Sequence, residues 1–188
     1  IATIELARLP APYWELGVLG AVLTLARFSE AFLLLRAAHV GLAAAWIPVV
    51  LIAMNVVYAL SAYPAGVAAD RTSRRALLGL GLTALVAADL VLAAAWTPAL
   101  VLVGVALWGL HLGLTQGVLA ALVAGAAPPD LRGTAFGLFN LTTGMVLLPA
   151  SVLAGLLWSR FGPAATFLAG GAFTVTALAG LPFVHLDP

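Results

Sequence analysis

Cysteine is absent from the 188 residues, which excludes disulfides, thiolate-bound metals and cysteine nucleophiles. Lysine is absent too: the eight basic side chains are all arginines, so every fixed positive side-chain charge is a guanidinium. Charge of either sign is scarce, at 8% of residues, where a soluble domain carries roughly 25%. Burying a core explains apolar stripes, but it does not explain stripping charge from whole surfaces. Lipid does, because it solvates apolar side chains on every face. The net charge of +1 comes with no basic stripe suited to nucleic acid. Catalytic signatures are missing as well: no P-loop, GxSxG, HExxH or dinucleotide glycine fingerprint, and no paired intramembrane aspartates with a neighbouring glycine. The expectation is a protein that is not an enzyme and holds no metal or cofactor.

What is present is apolar: 64% of the residues, with a mean hydropathy of +1.16. A hydrocarbon core about 30 Å thick needs roughly 20 apolar residues per helix. Six stretches qualify: Tyr13–Ala38, Leu42–Pro64, Ala76–Ala95, Ala99–Ala126, Gly133–Trp158 and Ala164–Val184. Punctuation separates them at His39–Gly41, Asp70–Arg75, Trp96–Pro98, Pro128–Asp130 and Phe161–Pro163. Pro98 and Pro163 fall at first helical positions, where a missing N–H costs little. Pro48 and Pro149 fall inside spans and predict kinks. The whole chain, 1–188, reads as one six-helix bundle. Ile1–Pro10, with Glu5 and Arg8 and no starting methionine, is no signal peptide; it reads as a preceding loop of a longer protein.

Arg8, Arg71, Arg74, Arg75 and Arg132 share one side of the bundle, against Arg36 and Arg160 on the other. That bias predicts both termini in the cytoplasm. Trp14, Trp46, Trp96 and Trp158 lie near span ends, as interfacial anchors do, and Arg36 is expected to snorkel.

Ionisable groups in hydrocarbon are costly, so those present mark candidate sites. Arg27 and Glu30 lie near the middle of the first span, spaced to share a helix face and pair. They read equally well as a substrate or proton site and as a structural ion pair. In the fourth span Trp108, His111 and Thr115 form an i, i+3, i+7 stripe beside Gln116. This is either a cavity wall with a proton-carrying histidine or a hydrogen-bonded core. Asp89 in the third span lies at the depth of Glu30, as a partner for Arg27 or a separate proton site. Asn55 with Tyr58, and Asn140 with Thr143, are cavity groups or interhelical glue. Gly17/Gly20, Gly79/Gly81, Gly109/Gly113 and Gly133/Gly137 are spaced for tight helix packing.

The second loop reads Gly66-Val67-Ala68-Ala69-Asp70-Arg71-Thr72-Ser73-Arg74-Arg75. A positive-inside loop with a capping aspartate explains the arginines, but less well the Gly66–Asp70 spacing. The loop resembles motif A of the major facilitator superfamily, matched at Gly66, Asp70, Arg71, Arg74 and Arg75 and departing at Ser73, where a glycine is usual. Arg27–Arg36 is similar to that family's seventh helix, and Pro128–Gly137 with Gly155–Pro163 to its tenth-to-twelfth helix region.

The resemblance implies a six-helix half of a twelve-helix secondary transporter, here the C-terminal half, built as a three-plus-three inverted repeat. A weak internal symmetry of polar first and fourth spans agrees. It further implies a cavity lined by those spans and a cytoplasmic gate in which Asp70 meets a helix N-terminus of the other half. The implied activity is symport or antiport of a small solute by alternating access, proton-driven, in the plasma (bacterial inner) membrane. The partners are that solute, lipid, and either the other half or a second copy. The alternative is a non-transporting membrane scaffold or assembly partner of the same fold.

Overall fold

A computed structural model describes residue 6 and residues 8–185. The opening stretch expected to be a preceding loop falls mostly outside these residues. The described residues contain no strand. Among the described residues, the α-helices with defined bounds are, in order, α1 Ala11–Ala26, α2 Ala31–His39, α3 Ile47–Ala69, α4 Arg74–Ala94, α5 Pro98–Ala126, α6 Arg132–Phe161 and α7 Pro163–Gly180. With their short 3-10 extensions they make six candidate membrane spans, because α1 and α2 are two pieces of the first.

Local chemistry fixes the ends. Ser73 caps α4, its hydroxyl accepting the Ala76 N–H at 3.0 Å. Thr97 does the same for α5 ahead of Pro98, accepting from Leu100 N–H at 3.3 Å. Gly41 and Gly162 take φ of +91° and +86°, which only glycine adopts without strain, and both lie at turns between spans. Ser73 itself is extended (φ −62°), so the turn after Asp70 needs no glycine.

Three expectations about the spans are corrected. The first span is not continuous: the helix stops at Ala26, where the Arg27 N–H still bonds to the Leu23 carbonyl, and resumes at Ala31. Pro48 lies in the first turn of α3 and kinks nothing, whereas Pro64, expected at the end of the span, is inside the helix. That helix runs on through Gly66, so the glycine of the loop motif is helical. Arg36 does not snorkel: it is buried, and its guanidinium donates to the carbonyls of Leu92, Ala93 and Ala95 at the C-terminal end of α4.

α5 is the axis of the bundle, packed along α4 on one side and α3 on the other, while α4 also packs on α7. The first span packs in turn on α6 and α7. Exchanging spans one to three with spans four to six maps this pattern onto itself, as an internal repeat requires. Gly109 and Gly113 permit the α3–α5 approach: a Cβ at 109 would strike the Met54 carbonyl, and one at 113 the Ser61 hydroxyl. Gly20 and Gly81 serve likewise against Phe139 and Thr115, but Gly17, Gly133 and Gly137 face open space.

Burial is uneven. In α3 and α6 only 11% of the apolar window is buried, against 39–56% in the other four spans. These two helices are the least covered by the rest of the bundle.

Candidate functional site

The break in the first span positions the site. Arg27, Phe28, Ser29 and Glu30 leave the helix together, and the Ser29 N–H is held by the Ser151 hydroxyl of α6 at 3.3 Å. A cavity of about 460 Å³ opens beside them. It is walled by Thr24 and the break, by Trp108, Leu112 and Gln116 of α5, and by Asn140, Thr143, Gly144 and Leu147 of α6. Arg27 and Glu30 therefore face the same space as the amides of Gln116 and Asn140. They are not an ion pair: no Arg27–Glu30 contact within 4.0 Å is found among the described residues, where the ion pairs are Arg8–Asp130 and His185–Glu15. The helical spacing that predicts pairing does not apply across a break.

Beyond the break the cavity is closed by rings. Phe28 meets Trp108 edge-on at 5.9 Å and Phe32 at 5.2 Å; Phe32 meets Trp158 at 5.7 Å, and Trp158 stacks edgewise on His39 and Phe167. Trp158 thus belongs to this cluster, while Trp14, Trp46 and Trp96 are the exposed tryptophans near span ends. The cavity occupies the side of the break toward Asp70 and Arg132, and the rings fill the side toward His39.

Of the residues singled out in the sequence, the cavity gathers Arg27, Glu30, Trp108 and Asn140. His111 and Thr115 are fully buried behind its wall. The His111 ring bonds through Nδ1 to the Gly81 carbonyl at 2.8 Å, and Thr115 donates to the His111 carbonyl. Asp89 is buried against α7. Asn55 is exposed and donates to Leu51 of its own helix, away from the cavity. Thr143, named with Asn140 in the sequence, also lines the cavity, as does Gln116; Thr24 and Ser29 join the site unannounced, because an isolated hydroxyl in an apolar run carries no signal until the fold aims it.

The loop motif lies at a second concavity of about 260 Å³ between α3 and α5, lined by Tyr58, Gly66, Asp70, Arg74 and Gly113 among others. Asp70 and Arg71 are exposed. Arg75 donates to the Val184 carbonyl at 2.9 Å, tying this end of α4 to the end of the last span. Helix capping here is the work of Ser73, leaving the Asp70 carboxylate uncommitted to the following helix.

Six spans, uneven burial and a polar cavity at a helix break define a multi-pass helical membrane protein with a polar internal cavity. The sequence matches the family model described as Major Facilitator Superfamily over residues 16–188. The chain belongs to that superfamily. It is 32% identical over 164 residues to an uncharacterized MFS-type transporter of Methanocaldococcus jannaschii, an alignment covering 84% of this chain and 41% of that protein. The chain therefore spans about two fifths of the relative it matches.

Proposed function

We propose that this chain is one half, the C-terminal one, of a secondary transporter that moves a small solute by alternating access. The observation that carries the reading is the cavity at the break, where Arg27, Glu30, Gln116 and Asn140 face one space of about 460 Å³ inside an apolar bundle. Broken helices with polar groups at mid-depth are how transporters present binding groups in lipid. With Arg27 not engaged by Glu30, its guanidinium is available to an anionic group of the solute, and Glu30 is the candidate proton-coupling carboxylate. The little-covered helices α3 and α6 take the other six-helix half, or a second copy. The arginine bias supports an orientation with the Asp70 end and both ends of this chain in the cytoplasm. In a bacterium the membrane would be the inner one.

The test is uptake by the full-length protein in proteoliposomes, with a trapped pH dye reporting proton movement while organic anions are supplied. Solute-dependent proton flux is expected, and Glu30→Gln should abolish it. Full proton-coupled uptake by Glu30→Gln would place coupling elsewhere. No flux with any solute would favour the scaffold.

A further inference from the structure

Asp89 is fully buried, and neither carboxylate oxygen has a hydrogen-bond donor among the described residues. Its surroundings explain why. α7 comes close because residues 170 and 171 are glycines. A Cβ built on Gly170 would lie 3.2 Å from Asp89 Oδ2, 3.2 Å from the Ala26 carbonyl oxygen and 2.9 Å from the Phe28 ring. A Cβ on Gly171 would lie 3.5 Å from Asp89 Cβ. The carboxyl group and the last carbonyl of α1 thus both border the space beside Gly170, at the place where the first span breaks. Among the described residues that carbonyl accepts no hydrogen bond, since the helix has no further N–H to offer it.

A carboxylate here would be doubly disfavoured. It would sit in an apolar interior with no donor, and it would face the negative end of a helix dipole. A carboxylic acid has the opposite fit, because its O–H is a donor beside an open acceptor. The charged and titratable groups on the surrounding elements do not change this. Arg36 on α2 is committed to the carbonyls of Leu92, Ala93 and Ala95, and His111 on α5 bonds through Nδ1 to Gly81, its Nε2 buried without a partner among the described residues. Arg27 and Glu30 face the cavity. α7 carries no titratable side chain. No cation comes within 4.0 Å of Asp89 among the described residues.

We propose that Asp89 is a proton-binding site outside the solute cavity: it carries its proton in this conformation and offers it to the open Ala26 carbonyl, holding the break in the first span. Losing that proton sets like partial charges against each other at the break and loosens Arg27–Glu30, so protonation at Asp89 governs the cavity rim without touching solute. The inference goes beyond the transport reading, because it concerns the resting protein and needs no flux.

Two measurements on the full-length protein test it. In infrared difference spectra between wild type and Asp89→Asn at neutral pH, the wild type should show an extra C=O stretch of a protonated acid. An extra carboxylate band instead would overturn the proposal. The second uses Ser29→Cys, with any cysteine outside these residues replaced by serine, and follows maleimide labelling against pH. Relative to the same cysteine in an Asp89→Asn background, which keeps a donor and cannot ionise, labelling should rise about tenfold at alkaline pH, the scale of losing one buried hydrogen bond. Identical pH profiles in the two backgrounds would overturn it. The wild-type infrared band, titrated alone, decides the matter if the variant fails to fold.

Discussion

Arg36 and Arg27 lie on the same span and do opposite things. Arg36 turns inward and satisfies three carbonyls at the end of α4; Arg27 leaves its helix at the break and faces a cavity. In sequence both are lone arginines in an apolar run, and only the packing separates a structural fork from a cavity-lining group. A lysine could not replace Arg36, since one point charge cannot reach several carbonyls that a planar fork reaches at once. Arg36→Ala should lower stability by roughly 2–4 kcal/mol, by stranding buried acceptors, and Arg36→Lys should recover only part of it. Thermal unfolding in detergent, followed by tryptophan fluorescence, measures both. A neutral Arg36→Ala would mean that the carbonyls find other donors.

Among the elements, the six spans were legible because hydrophobicity over the thickness of a bilayer is a strong signal, and most observed ends fall within a few residues of the expected ones. The break in the first span was not legible. Nothing between Ala26 and Ala31 is a proline or glycine, so the interruption comes from tertiary contacts: Ser151 on the Ser29 N–H, and Phe28 wedged against Gly170. Pro64 shows the converse, a local helix breaker overruled by the bundle. Close packing was half legible, since small-residue spacing found Gly20, Gly81, Gly109 and Gly113 but also glycines with nothing near them. Gly113→Ala should therefore cost about 1–3 kcal/mol by forcing α3 off α5. Gly117→Ala, with open space around it, should be nearly silent. Parallel thermal melts distinguish the two, and equal melting temperatures would refute the packing argument.

At the scale of the molecule, the loop motif announced a family, and the family model covers residues 16–188. Its exposed Asp70 and Arg71, beside the little-covered α3, are what a gate that closes against another half would need. Under the proposed function, Asp70→Asn should leave expression and solute binding unchanged and slow uptake about tenfold or more, the loss of one charge-assisted contact. Uptake and equilibrium binding measured on the same preparation check this, and an unchanged rate would remove Asp70 from the gate. The candidate cavity was legible in its charged, amide and tryptophan members and in Thr143, but not in Thr24 and Ser29, which acquire a role only from the surface they share.

The Arg36 clamp has a mechanical corollary. It fastens α2 to α4, while at the other end of the same span the Tyr13 hydroxyl donates to the Ala135 carbonyl at 2.9 Å, and Gly20 seats the Phe139 ring, fastening α1 to α6. One transmembrane segment is thus tied at both ends, its first helix to α6 and α7 and its second, through Arg36, to α4. Any relative sliding of α4 and α6 has to be absorbed at the joint between them. That joint is residues 27–30, the same four residues that edge the cavity, so flexing along this line reshapes the cavity's own rim.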